Sequence, residues 1–127
     1  MDPRVQIAIN LIKKNLHRDL TLSCVAQAVC LSPSRLRHLF KIETGVTVKR
    51  YLHLQRLEEA KVQIEGTLLT MKQVMFLVGL RDESHFTRDF KRCFGITPTQ
   101  CRHNAHRRVE QNAMVISSQF RDSHSGQ

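Results

Sequence analysis

Two stretches of the sequence repeat one another, and this constrains the architecture more than any other feature. Leu20 to Leu31 reads LTLSCVAQAVCL, and Leu69 to Leu80 reads LTMKQVMFLVGL, an offset of 49 residues. One residue is inserted after that, and the offset becomes 50: FKIETGVT from Phe40 to Thr47 meets FKRCFGIT from Phe90 to Thr97. Self-similarity at a fixed period sets the plan of a fold, and two copies are too few for a solenoid. The repeat therefore predicts two similar lobes joined by a linker within a chain of 127 residues. That length buries a core without disulfides or metals.

Each copy has a helical period. Leu22, Val25, Ala26 and Val29 fall at i, i+3, i+4 and i+7, as do Met71, Val74, Met75 and Val78. Such spacing gives one buried stripe on a short helix. A break follows at Cys30-Leu31-Ser32 and at Gly79-Leu80-Arg81-Asp82. Glycine suits a helix C′ position, whereas Cys30 implies a strained turn or a different geometry. A second helix then starts behind Ser32-Pro33 in one copy and Asp82 in the other, both good N-caps. Its apolar positions are Leu36, Leu39 and Phe40, then Phe86 and Phe90, and it runs out at Gly45 and Gly95. Thr97-Pro98-Thr99-Gln100 reads as a capping box with Pro at N1. Further helices are predicted from Pro3 to about His17 (Val5, Ile9, Ile12 and Leu16 on one face) and from Val48 to about Ile64.

The expected fold is all-α, with about seven helices and two helix-turn-helix subdomains joined by a long linker helix. The first motif spans about 20–45, the linker about 47–65, the second motif about 69–95 and a closing helix about 98–110, within a domain of residues 1–103. Residues 112–127 are mostly polar and are expected to form a frayed or disordered tail, with a weak amphipathic turn over Val109 to Ile116.

The outward face of the second helix in each copy carries the functional signal. Opposite Leu36, Leu39 and Phe40 stand Ser34, Arg35, Arg37, His38 and Lys41, with no acid before Glu43. The corresponding face holds Ser84, His85, Thr87, Arg88 and Lys91, with Arg92 beside them. Such groups donate to phosphate oxygens and base edges, and Arg pairs bidentately with guanine. The N-terminal residues of a recognition helix reach deepest into the major groove. This assigns positions 34, 35, 37, 38, 84, 85, 87 and 88 to base contact, and Lys41, Lys91 and Arg92 to phosphates. Asp82 and Glu83 suit the helix macrodipole, and Glu83 either accepts from cytosine or repels phosphate. The net charge of +9 agrees with a polyanionic partner. A linker helix roughly 25 Å long falls short of the ~34 Å between major grooves on one side of straight DNA. It predicts either a bent site or an incompletely inserted second unit. A head-to-tail repeat on one chain predicts a monomer on an asymmetric site.

These residues resemble the DNA-binding domain of the AraC/XylS family of transcription regulators over about residues 4–103. The carrying motifs are Leu31-Ser32-Pro33-Ser34-Arg35-Leu36, Leu39-Phe40-Lys41 and Thr44-Gly45, then Val78-Gly79-Leu80, Ser84-His85-Phe86-Thr87-Arg88 and Phe90-Lys91. The block Phe94-Gly95-Ile96-Thr97-Pro98 with Arg102 is the most specific. Cys30 stands where glycine is common, and Cys101 where tyrosine is usual. The resemblance implies a bacterial regulator, more often an activator, with base contacts at Ser34, Arg37 and His38 and at Ser84, His85, Thr87 and Arg88. It also implies RNA polymerase as a partner. No effector domain is evident, so the chain resembles a standalone regulator of the MarA/SoxS/Rob type or the C-terminal part of a longer one.

Other classes fare worse. No Ser/His/Asp or Cys/His set sits on a motif that positions a nucleophile, and the five glycines form no phosphate loop, so no enzyme and no cofactor are expected. Cys24, Cys30, Cys93 and Cys101 have no zinc spacing, and Cys101-x-His103-x-x-His106 lacks a fourth ligand. With no leader and no apolar run of membrane length, a cytoplasmic location with free, partly buried thiols is expected. The remaining alternative is a helical protein that binds nucleic acid without sequence preference. Aromatic residues make up only 6% of the chain, with no Trp, which argues against single-strand stacking platforms.

Overall fold

A computed structural model describes the backbone of residues 1–125 and the side chains of residues 1–119. Seven helices follow one another: α1 (Pro3–Lys14), α2 (Leu22–Ala28), α3 (Pro33–Thr44), α4 (Val48–Gly66), α5 (Met71–Val78), α6 (Glu83–Phe94) and α7 (Pro98–Ser125). No strand occurs among the described residues. The all-α plan with about seven helices is the one expected from the repeat.

Local chemistry sets the helix starts. Asp2, Thr21, Ser32, Thr47 and Asp82 each accept a main-chain N–H of the first turn, contacts worth about 1 kcal/mol apiece. Thr70 and Gln73 form a full capping box. Thr97 and Gln100 form another, at 3.1 and 3.2 Å, as their sequence predicts. The two short turns close alike. Leu31 N–H bonds Ala26 O and Leu80 N–H bonds Met75 O, both at 2.9 Å, and the residue between helix and turn is left-handed in both, Cys30 at φ 59° and Gly79 at φ 80°.

Packing produces two cores strung on one helix. In the first, Val5, Ala8, Ile9 and Ile12 of α1 meet Val25 and Ala26 of α2, Leu36 and Phe40 of α3, and Val48 and Leu52 of α4. In the second, Leu57, Ala60 and Ile64 of α4 meet Val74, Met75 and Val78 of α5, Phe86 and Phe90 of α6, and Cys101 of α7. The N-terminal half of the linker helix thus belongs to one lobe and the C-terminal half to the other. Phe40 packs edge-on to Tyr51, with ring centroids 5.4 Å apart. In the second core Phe86, Phe90 and Phe94 form a run with centroid separations of 5.7 and 4.7 Å.

Two expectations need correction. The first helix ends at Lys14, not near His17, because the Asn15 side chain bonds Leu11 O at 2.8 Å and the carbonyls of Leu16 and Arg18 bond elsewhere. The closing helix does not stop near residue 110 before a disordered tail. α7 continues to Ser125, while residues 126 and 127 lie outside the described residues. The stretch after Arg102 holds no Pro or Gly before Gly126, so nothing in it breaks a helix. Helical propensity outlasts the hydrophobic pattern there: Ala105 is buried, while residues 107–119 are exposed.

Candidate nucleic-acid interface

The buried faces of α3 and α6 decide what those helices present outward. Leu36 and Phe40 anchor α3 and Phe86 and Phe90 anchor α6, all at 2% exposure or less. Ser34, Arg35, Arg37, His38 and Lys41 of α3 are all exposed, as are Ser84, His85, Thr87, Arg88, Lys91 and Arg92 of α6. Each lobe therefore gathers its set on one helix face, held by a short helix behind it (α2 or α5).

The carboxylates near these faces are turned to other tasks. Glu43 is half-buried and accepts the Asp2 main-chain N–H through both oxygens, at 3.0 and 2.9 Å. It ties the end of α3 to the start of α1 and leaves the α3 face cationic. Asp82 caps α6, accepting the His85 N–H at 3.0 Å while its other oxygen lies 2.9 Å from His85 Nδ1. The His85 main-chain N–H, and after it the ring, hold the Asp82 carboxyl below the ordinary aspartate value. The pair stands at the tip of α6 with both side chains largely in solvent. Asp89 pairs with His53 Nε2 of α4 at 2.9 Å. Asp82 and Glu83 are both exposed, and of these three acids only Asp89 is half-buried.

Several groups bearing on the site escape a reading of the sequence. Asp89 and His53 stand 36 residues apart, and no local pattern pairs them. The α3 counterpart of Asp89 is Leu39, which packs on the first core. Arg56 of α4 is half-buried, and its Nε donates to Leu16 O and its Nη2 to Arg18 O, both at 2.8 Å. Arg81 pairs with Asp19 at 3.0 Å, with both side chains largely in solvent. Lys49, Arg50 and Lys72 are further exposed cations on α4 and α5. Their signal was in the sequence, since each sits in the first turn of a helix whose capping threonine, Thr47 or Thr70, is readable there.

The cysteine and histidine constellation offers little chemistry. Cys24, Cys30 and Cys93 are free and exposed, so these thiols are not partly buried as expected. Cys101 is buried, and burial, then the Glu65 carboxylate, push its thiol pKa up. His103 is exposed on the same helix, and no group of three or more candidate metal ligands forms among the described residues. Among the described residues, no helix is long and apolar enough to cross a membrane.

Comparison with known proteins agrees with this arrangement. Residues 25–104 match the family model described as a helix-turn-helix domain. The arabinose operon regulatory protein of Escherichia coli K12 is 36% identical over 118 residues, covering 92% of this chain. The chain belongs to the AraC/XylS family of helix-turn-helix transcription regulators. As a family member it spans only 40% of the length of that arabinose regulator. Among solved structures, the C-terminal domain of AraT, a response regulator from Geobacillus stearothermophilus, superposes with a TM-score of 0.74 at 31% identity. That match covers 81% of this chain and 86% of the other. The DNA-binding domain of AdpA, solved in complex with a target DNA, shares the fold at a TM-score of 0.77 and 20% identity, over 85% of this chain and 97% of that one. In this AraC/XylS-family chain, the first helix-turn-helix is therefore α2–α3 and the second α5–α6.

Proposed function

We propose that this chain is the double-stranded-DNA-reading part of a transcription regulator, and that it lays α3 and α6 into neighbouring major grooves. One observation carries the proposal: two quasi-equivalent helices each expose a basic and hydroxylic face, and Glu43 and Asp89 are engaged away from those faces. Ser34, Arg35, Arg37 and His38 read one box, and Ser84, His85, Thr87 and Arg88 read the other. Lys41, Lys91 and Arg92 hold the phosphates. Equivalent positions carry unlike side chains, Arg37 against Thr87 and His38 against Arg88, so the two boxes differ in sequence and the site is asymmetric. One chain serves one site.

The 19 residues of α4 span about 28 Å, short of the ~34 Å groove repeat. The site either bends, at a cost on the order of 1–6 kcal/mol, or receives the second helix less deeply. Activation through contact with RNA polymerase is the regulatory role carried by the family, and it extends the same proposal.

Selection of binding sites from a random duplex pool tests the reading. The expected product is two unlike boxes separated by about one helical turn. A pool that stays random while still bound would leave a non-specific nucleic-acid binder. Mass measurement of the complex checks the stoichiometry, with one chain per duplex expected.

A further inference from the structure

The linker helix passes between cores at its middle. Leu52 closes the first core and Leu57 opens the second. The turn between them, His53-Leu54-Gln55-Arg56, belongs to neither. A helical turn without an apolar partner is the softest part of a strut. Bending it by about 15° displaces the end of the roughly 15 Å of helix beyond it by ~4 Å, more than the 3.4 Å rise of one base pair. Two recognition helices joined in that way alone would tolerate changes of spacing.

The structure braces this turn from both sides. The Nε and Nη2 of Arg56 donate to the carbonyls of Leu16 and Arg18, which lie in the non-helical α1–α2 connection of the first lobe. The second lobe closes on the same point. A Cβ placed on Gly79, in the α5–α6 turn, would lie 2.5 Å from Leu16 O and 3.1 Å from Arg56 Nε. The turn of one lobe thus touches the connection of the other with no room for a methyl group, and the Arg56 guanidinium packs beside that contact. The repeat supplies a control within the molecule. The equivalent turn of the first lobe has the same left-handed backbone, yet bears Cys30, whose side chain is exposed. The lack of a side chain at Gly79 therefore serves contact between the lobes as well as backbone geometry. His53, one turn before Arg56, reaches Asp89 on α6 itself. Asp19–Arg81 crosses the same seam but is solvent-exposed, and such pairs contribute little.

We propose that Arg56 is a positioning residue that locks the two lobes at a fixed separation and so sets which spacing of the two DNA boxes the chain accepts. The second part rests on the proposed two-groove reading; the lock itself does not. Arginine suits the task because one planar fork satisfies two carbonyls at once, whereas lysine offers a single point charge.

The first experiment needs no DNA. In a Cys24→Ser background, spin labels on the exposed Cys30 and Cys93 report the distance between lobes by double electron–electron resonance. The native Arg56 should give one narrow distance distribution, Arg56→Ala a broader one, and Arg56→Lys an intermediate one. Circular dichroism monitors helix content, and Arg56→Lys reads the lock if the alanine variant does not fold. Equal widths in all folded variants would overturn the lock. The second experiment uses the selected duplex with one base pair added to or removed from the segment between boxes. The native chain should lose about tenfold or more on those spacings, and Arg56→Ala only about threefold. A merely structural role would weaken every spacing by the same factor and leave the ratio unchanged, which overturns the assignment of spacing to Arg56. A native chain indifferent to spacing, with a narrow label distance, would sink the two-groove reading and the spacing claim but leave the lock standing.

Discussion

Two glycines with the same left-handed backbone differ in what surrounds them. Gly79 and Gly45 both adopt positive φ, but a Cβ at Gly45 meets open space while one at Gly79 meets a backbone carbonyl at 2.5 Å. Gly45→Ala is therefore expected to cost only the left-handed backbone term, about 1–2 kcal/mol. Gly79→Ala should cost distinctly more, and denaturant midpoints of the two variants decide this. On the exposed faces, Arg37→Ala and Arg88→Ala are each expected to lower affinity by about 1–3 kcal/mol and to relax preference in different boxes. Competition binding against single-base variants of the selected site reads this out, and equal losses on specific and random duplexes would remove those residues from base readout. The sequence showed which side chains share these faces, because helical periodicity is local. It did not show that Glu43 turns back to Asp2 or that Asp89 turns to His53, because those partners lie 41 and 36 residues away and follow only from packing.

Helix starts were legible from the sequence and helix ends less so. Ser32, Asp82 and the Thr97–Gln100 box cap where their side chains predict, because capping involves residues three apart. The stop at Lys14 depends on bonds that Arg56 makes from another helix. The length of α7 departs from expectation for another reason: loss of an apolar stripe signals loss of packing, not loss of helix. Arg102 Nε donates to Ile64 O at 3.2 Å, and Arg108 pairs with Glu65 at 3.1 Å, so the packed part of α7 lies near its start. Residues 112–119 are exposed, and deleting 112–127 is expected to shift stability by less than about 0.5 kcal/mol. It should also lower the helical signal in circular dichroism. A larger loss of stability would mean that the extension packs on the body.

At the scale of the molecule, the repeat predicted two lobes and a strut, and the structure has both. The seam between the lobes left no trace in the pattern, since His53, Arg56 and Arg81 read as ordinary polar positions of an amphipathic helix and a loop. The charge of +9 gives a measurable signature of the proposed complex. Lys41→Ala and Lys91→Ala are each expected to reduce the slope of log affinity against log salt by about 0.9 and to weaken all duplexes alike. Filter binding across salt concentrations checks this, and an unchanged slope strikes either lysine from the phosphate contacts.

Because α4 contributes Leu52 to one core and Leu57 to the next, neither lobe can melt without fraying a helix the other needs. Unfolding is then a single cooperative event, and the chain carries its own reporter. Tyr51, its one tyrosine, packs on Phe40 in the first lobe, while Phe90 lies at the heart of the second. Phe90→Ala, a loss of about 3–5 kcal/mol, should lower the midpoint seen by tyrosine fluorescence as much as the midpoint seen by far-ultraviolet dichroism. A fluorescence transition left in place would mean the lobes melt independently.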